Sequence, residues 1–537
     1  MVERRTFLSA IGLAVTGAAA TSQTLPSSSE TLVIEPGRLR EVGHVSGRQQ
    51  SYNVEMLEVT GGRFWRPYGP ELERALREPA PQGGAGGADT PSGMNPALYE
   101  YRPPLDLSQP RLRSRAKALG PAYVRVSGTW ANTTYLPAMG EAAPSSPPQG
   151  YGSVLTHDQW RGVIEFAKAA DAEIVTSFAT GAGTRDAQGV WTTDQAQRFV
   201  DVTRQLGGRI TAAEWMNEPT LAAMGGAPQG YDAADYGRDY KIFHDWARRT
   251  VPEMKLLGPG SVGETTGDWG VAYGSAPILH TEDLLKAMQP ADVDAFSYHH
   301  YGASSQRCAA MGKQTAAEDA LSEEWLRRTD QTLAFYKGLR DRYQPGKPLW
   351  LTETADAACG GNPWGNTFRD SFRYLDQLGR LARQGVEVAM HNTLVASDYR
   401  LLDDKNLSPK PNYWAALLWQ RLMGSTVFDA GIPIAEGRHV YAHDLRGQSG
   451  GVALLIINNS RARGTLLRLP GRMERYTLSA SSLDAKEVLL NGKPLALVAG
   501  GALPEIAPTA ADGGEITCEP ASINFLAMAG ARRAPGG

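Results

Sequence analysis

The sequence predicts a (β/α)8 barrel, an α/β fold, joined to a C-terminal antiparallel β-sandwich, and three observations carry that expectation. Past residue 50, short β-branched or aromatic runs alternate with helical patterns, as βα units around a parallel sheet do. Eight such runs fall between residues 52 and 392, the number that closes a TIM barrel with long loops. After Gly424 the helical patterns stop and short strands separated by turns take over.

Taken in order, residues 1–24 read as an export signal. Arg4-Arg5 precede Phe7-Leu8, and Ile11 to Ala20 is a Gly/Ala-rich apolar run ending in Ala18-Ala19-Ala20. This resembles a twin-arginine signal and implies a periplasmic or secreted protein. Residues 31–48 hold two strand-like pieces, Thr31 to Ile34 and Arg38 to Val45, expected to pair into the sandwich. Residues 49–423 make the barrel, with strands at Tyr52–Leu57, Ala122–Val126, Glu173–Phe178, Ala212–Met216, Lys255–Leu257, Asp294–Tyr298, Pro348–Glu353 and Val386–Asn392. Among the helices between them, Ala233 to Arg249 places Tyr236, Tyr240, Phe243 and Ala247 on one face, and Thr193 to Leu206 stops at Gly207-Gly208. Glu78 to Asn95 and Met139 to Gly152 are rich in Gly, Ala, Pro or Ser and read as surface loops. Residues 424–530 form the sandwich, with strands at Val440–His443, Gly451–Asn458, Thr465–Leu469, Lys486–Leu490 and Ser522–Ala527 and a hairpin turn at Asn491-Gly492.

Composition narrows the function. Lys+Arg 54 against Asp+Glu 57 gives a net charge of -3, and no basic run stands ready for a row of phosphates, so nucleic acid is not an expected partner. No apolar stretch after the N-terminus reaches the roughly 18 residues of a bilayer span, so no membrane association is expected of the mature form. No G-x-G-x-x-G after an early strand, G-x-S-x-G elbow, Walker loop or H-E-x-x-H is present, and neither a cofactor nor a protein partner is implied.

The chemistry collects at the C-terminal ends of the predicted strands, where barrel enzymes keep it. Strand four ends Glu214-Trp215-Met216-Asn217-Glu218-Pro219 and strand seven ends Leu349-Trp350-Leu351-Thr352-Glu353-Thr354. Carboxylates on these two strands can face each other across the mouth, with a glycosidic oxygen between them. One would protonate that oxygen and the other attack the anomeric carbon, provided they stand about 5 to 5.5 Å apart. In His299-His300 adjacent side chains point to opposite faces, so no metal is expected there, and one imidazole is left to touch substrate.

Several segments together resemble a known group. They are Asn217-Glu218 with the distant Glu353; Ala122-Tyr123-Val124-Arg125-Val126 with Gly128-Thr129; Tyr298-His299-His300-Tyr301; Trp350 to Thr354 leading to Gly360-Gly361; Tyr399-Arg400-Leu401; and Pro411-Asn412-Tyr413-Trp414. Over nearly the whole mature chain this is similar to the heparanase-like family, glycoside hydrolase family 79, which includes bacterial β-glucuronidases. The resemblance implies Glu218 as general acid/base, Glu353 as nucleophile, substrate contacts at Gly128 and Thr129, and a sugar carboxylate held by the Gly360-Gly361 backbone and the Tyr399 phenol. It implies a retaining enzyme that removes β-linked glucuronic acid from an oligosaccharide or glycoconjugate. An endo-acting heparanase-like enzyme, or a non-catalytic carbohydrate-binding protein on the same fold, are the alternatives. Physical reasons run alongside. Asn217 is placed to bond a sugar 2-hydroxyl, Glu218 needs a raised pKa from burial and from Glu353, and Tyr301 or Tyr298 can orient Glu353 or simply pack.

Three cysteines make no framework. Cys308 lies ten residues beyond the expected end of strand six and Cys359 six beyond Glu353, on neighbouring loops. A disulfide between them is expected in an oxidising compartment, two semi-buried thiols being the alternative, and Cys518 is expected to be unpaired.

Overall fold

The computed structural model describes residues 31–78, 90–270 and 278–532; the expected export segment at 1–24 and residues 79–89 of the Glu78–Asn95 loop lie outside the described residues. Eight parallel strands close a barrel in chain order: β1 (Gln50–Glu55), β2 (Ala122–Ser127), β3 (Ala172–Ser177), β4 (Ile210–Glu214), β5 (Lys255–Ser261), β6 (Ala295–Ser304), β7 (Leu349–Ala358) and β8 (Val386–His391). Each corresponds to one predicted run, because a strand buried on both faces is apolar at nearly every position and stands out from its loops.

Side-chain alternation divides the barrel into layers. Tyr123, Val175, Ala212, Leu257, Ala295, Trp350, Val388 and Met390 form an apolar plug of their own, and their neighbours Val124, Ala213, Phe296, Leu351 and Ala389 join the larger core shared with the helices. Two positions further along, the inward places pass to polar residues, and these make the site.

Several strand ends differ from expectation, among them that of β5, which runs on past Leu257 to Ser261. β1 stops at Glu55, and Met56–Thr60 turns helical under a reciprocal capping box between Glu55 and Glu58. β4 stops at Glu214, before the expected Met216. β6 and β7 run past the expected ends at Tyr298 and Glu353 to Ser304 and Ala358, because they continue to pair above the barrel rim, with His300 opposite Thr354 and Ser304 opposite Ala358. Glu353 therefore stands in the middle of a ten-residue strand rather than at its end. The expected helices are present as Ala233–Thr250 and Asp194–Gln205, and residues 139–152 form the expected loop.

The second layer is a sandwich of antiparallel character. β9 (Met423–Asp429), β10 (His439–Leu445), β11 (Val452–Asn458), β12 (Thr465–Leu469), β13 (Met473–Ser479), β14 (Gly514–Cys518) and β15 (Ser522–Met528) are its main strands. The larger sheet runs from the pre-barrel strand Arg40–His44 through β9, β10, β11 and β15 to β13, and the smaller sheet is Leu32–Val33, β12 and β14. Both pre-barrel pieces thus enter the sandwich, Leu32–Val33 parallel to β12 and Arg40–His44 antiparallel to β9. β11 shows why the sheet stays in place: Val452, Leu454 and Ile456 face the smaller sheet, while Ala453, Leu455 and Ile457 join the barrel's core. The expected strand Lys486–Leu490 shrinks to Leu489–Leu490, which pairs with Lys493–Pro494 across Asn491-Gly492, both left-handed as the hairpin turn requires. β9, β13 and β14 were not expected. β13 and β14 alternate apolar with exposed polar residues, so neither reads as a run.

Sandwich and barrel are bolted by a buried ionic cluster. Asp376, on the helix Phe368–Arg383, bonds Nδ1 of His439 at 2.5 Å, Arg380 at 2.6 Å and the Tyr441 phenol, while the other face of His439 meets Glu323 at 2.8 Å. Burial works against a charge on His439, but the Asp376 carboxylate and the bond to Glu323 outweigh it and push the imidazole up to about 9.

Candidate active site

On β2 alternation sends Tyr123, Arg125 and Ser127 inward, which places a guanidinium at the heart of the barrel, 1% exposed. A buried cation requires carboxylate partners. Arg125 has two: Nη2 donates to Oε2 of Glu214 at 2.8 Å and Nη1 to Oε2 of Glu353 at 2.9 Å. Nη2 also reaches Oδ1 of Asn217 at 2.7 Å, which turns the donor end of that amide away from Arg125.

Glu353 points inward because β7 is irregular. Leu351 lies opposite Tyr298 but Glu353 opposite His299, so two residues of β7 advance for one of β6. This bulge at Thr352 lets consecutive side chains share the interior. Thr352 donates to Oε1 of Glu214 at 2.6 Å, and Glu353 accepts from the Tyr301 phenol at 2.6 Å and from Arg125. Tyr301, not Tyr298, is the residue that orients Glu353. Tyr298 faces outward and stacks on Tyr336 with ring centroids 5.0 Å apart.

Glu218 reaches the same space from beyond β4. Its backbone is left-handed at φ 48, a conformation costly for a residue with a Cβ. Pro219 discourages the right-handed helical alternative at the residue before it. Asn132 clamps the preceding residue, its Nδ2 donating to the Asn217 carbonyl and its Oδ1 accepting from the Asn217 amide, both at 3.0 Å. One oxygen of Glu218, one of Glu353 and a ring nitrogen of His299 lie within 4.8 Å of one another. A metal ion shared by this trio would stand within reach of the Arg125 guanidinium, where like charges repel.

The electrostatics separate the carboxyl groups. Burial raises Glu218 above the ordinary carboxylate value; the His299 hydrogen bond opposes this and the Glu353 charge adds to it. Burial acts the same way on Glu214, but Arg125, His299 and Thr352 overcome it and hold that carboxylate well below its usual range. For His299 burial disfavours the cation, yet Glu353, Glu214 and Glu218 push it up to about 9.

A cleft of about 930 Å3, open to solvent, lies over this centre. Glu218, Glu353, Asn217, Gly128, Thr129, Tyr301 and Tyr399 all line it. His299, expected to touch substrate, instead lies beneath the cleft with its Nδ1 3.0 Å from Oε1 of Glu218, and His300 faces outward to Thr332. Gly360 and Gly361 are set behind the wall, which Ala358 and Cys359 form here. A Cβ on Gly360 would meet the Trp65 ring at 2.7 Å, and the Gly361 carbonyl accepts from Tyr68 and from Arg307. Cys359 is joined to Cys308, Cα to Cα 6.2 Å, and Cys518 is free and buried.

Sequence reasoning missed Arg125, Glu214, Glu55 and Asn392 as parts of the site. Asn392, at the end of β8, donates to Glu55 at 3.0 Å and approaches the phenols of Tyr301 and Tyr399 at 3.0 and 3.3 Å. A charge in mid-strand, as in Ala122-Tyr123-Val124-Arg125-Val126, was the available signal for the first.

The glycosyl hydrolase family 79 N-terminal domain matches residues 104–379, just over half of the chain and the whole of β2 to β7. The chain belongs to glycosyl hydrolase family 79. Mouse (Mus musculus) heparanase is 27% identical over 493 residues, 79% of this chain and 87% of that one. Baicalin-β-D-glucuronidase of Scutellaria baicalensis is 26% identical over 320 residues, 56% of each chain. Among solved structures, the 4-O-α-L-rhamnosyl-β-D-glucuronidase from Fusarium oxysporum 12S shares the fold with a TM-score of 0.58 at 12% identity, covering 92% of this chain and 100% of that one.

In this family 79 site Gly128 leaves room for a carboxyl group. Its φ is +94, and a Cβ there would stand 1.6 Å from Oε2 of Glu55. Gly128→Ala is expected to displace Glu55 from the cleft wall, destabilising the fold by about 1–3 kcal/mol and lowering kcat/KM. Thermal unfolding and kinetics on the single variant and on Gly128→Ala/Glu55→Ala check this: the second change should recover the part of the stability lost to the clash, the backbone strain at 128 remaining, and should not recover activity.

Proposed function

We propose that this family 79 chain is a retaining β-glucuronidase that removes terminal β-linked glucuronic acid from a glycan or glycoconjugate, with Glu218 as acid/base and Glu353 as nucleophile. The approach of the two carboxyl groups carries the reading. Oxygens within 4.8 Å fit the roughly 5–5.5 Å between carboxyls of retaining enzymes and fall short of the roughly 6.5–9.5 Å of inverting ones. Glu353, held by Arg125 and Tyr301, attacks the anomeric carbon while Glu218 gives its proton to the leaving oxygen. Glu218 then takes a proton from the water that releases the sugar from Glu353. The Asn217 amide, its oxygen engaged by Arg125, presents Nδ2 to the sugar 2-hydroxyl. The Tyr399 phenol, pushed well above its usual value by burial, stays a donor for the sugar carboxylate.

A glucuronide substrate accords with the relatives named heparanase and baicalin-β-D-glucuronidase. Exo action is supported by a link beside the cleft, where the Ser92 amide donates to the Met224 carbonyl at 3.3 Å and joins the segment after β1 to the loop after β4. The twin-arginine-type segment and the disulfide both favour a periplasmic or extracellular site of action.

The test is hydrolysis of 4-nitrophenyl β-D-glucuronide followed by NMR. The β-anomer should appear first, and the α-anomer appearing first would exclude a retaining mechanism. Two variants refine the assignment. Glu218→Ala is expected to slow a methyl glucuronide by about 10²–10⁴-fold but a nitrophenyl glucuronide far less, and to remove the alkaline fall in activity that marks loss of the acid's proton. Tyr399→Phe is expected to lower kcat/KM on the nitrophenyl glucuronide by about 10- to 100-fold and on the matching glucoside much less. Equal losses on both sugars would detach Tyr399 from the carboxylate.

A further inference from the structure

The general acid must touch the glycosidic oxygen, so the leaving group departs along the wall that carries Glu218. That wall is apolar. The chain that follows Glu218 contributes Met224, and Met94 and Trp130 also line the cleft, while Leu221 and Val262 cluster with Tyr301 and Tyr399. The Ser92–Met224 bridge ties the acid's loop to the loop bearing Met94. Among the described residues lining the cleft there is no Lys or Arg; Arg125 lies below it, committed to Glu214 and Glu353. A second cavity of about 720 Å3, lined in part by Ser92, shares Trp130 and Met224 with the cleft, and among its described lining residues none is charged.

Resting on the glucuronidase reading, we propose that the leaving-group side of the cleft is built for an apolar aglycone, so that the preferred substrates are β-glucuronides of lipophilic or aromatic alcohols rather than of sulfated sugar chains. A sulfated chain brings several negative charges per disaccharide, which a lining without Lys or Arg does not compensate. A hydrophobic leaving group gains by leaving water against methionine and tryptophan, and the unbranched Met side chains adapt to its shape.

The experiment compares octyl with methyl β-D-glucuronide, whose leaving alcohols are of nearly equal acidity, and adds a sulfated oligosaccharide with terminal β-linked glucuronic acid. Octyl glucuronide, held below its micelle concentration, should show kcat/KM at least about tenfold above the methyl compound, as burial of two or more methylene groups predicts. The difference should lie chiefly in KM, and Met224→Lys should bring the octyl-to-methyl ratio towards one. Equal kcat/KM for octyl and methyl, a ratio unmoved by Met224→Lys, or preference for the sulfated oligosaccharide would overturn the proposal and leave the glucuronidase reading intact. Hydrolysis of a neutral glycoside with no glucuronide cleaved would overturn both.

Discussion

Glu353→Gln is expected to abolish turnover of every β-glucuronide, good leaving group or poor, by at least about 10⁴-fold. The amide that replaces the carboxylate cannot form the glycosyl ester through which both halves of the reaction pass. Folding should survive, since the amide oxygen still accepts from the Tyr301 phenol. The consequence is separable from that of Glu218→Ala, whose loss depends on the leaving group. A 2-deoxy-2-fluoroglucuronyl fluoride supplies a second readout: the wild type should gain the mass of one sugar on the peptide holding Glu353, and the Gln variant should gain none. More than about 1% of wild-type activity in Glu353→Gln, or a label on another residue, would remove Glu353 from the nucleophile's role.

Arg125→Met is expected to damage stability and chemistry together. Glu214 is fully buried and the Glu353 side chain is 8% exposed; without the guanidinium both remain in a low-dielectric interior. Breaking a buried pair in this way costs about 3–5 kcal/mol, more than removing both partners. The double variant Arg125→Met/Glu214→Gln should therefore unfold at a higher Tm than Arg125→Met alone. Activity should not return with it, because Glu353 has still lost a charge-assisted bond worth about 1.5–3 kcal/mol, or about 10- to 100-fold in rate. Arg125→Lys should recover part of the stability and little of the geometry, since one ammonium cannot span Glu214, Glu353 and Asn217. A Tm for Arg125→Met within experimental error of wild type would show that the ionic core is not a stability element.

These expectations depend on details of unequal visibility in the sequence. The barrel was legible because its eight strands are apolar on both faces, and Asn217-Glu218-Pro219 was legible because so polar a cluster at a strand end has few structural uses. The extensions of β6 and β7 were not. Gly302-Ala303-Ser304 and Ala355-Asp356-Ala357-Ala358 carry small or polar residues of low strand propensity, and only mutual pairing holds them extended. The bulge at Thr352 was invisible too, since inserting one residue into a ladder leaves composition unchanged while reversing which face each later side chain meets. Alternation set His299 and His300 on opposite faces, but how deep the inward one sits depends on the curvature of the closed barrel, and that turned an expected substrate contact into a support for Glu218. Gly360 and Gly361 stood in the right loop; their register against Trp65 and Tyr68 is a matter of tertiary contact alone.

The origin of the sandwich in both ends of the chain has a consequence in time. Leu32–Val33 has its ladder partner at Leu467 and Arg468, and Arg40–His44 pairs with β9 only after the whole barrel sequence has intervened. Contacts this remote in sequence raise contact order and slow folding, because the closure of a very long loop precedes any gain from the strand it brings home. The first strand among the described residues is thus among the last to find its place. Until β12 arrives it has no ladder partner, and its shortness, two residues, leaves little edge for another chain to pair with.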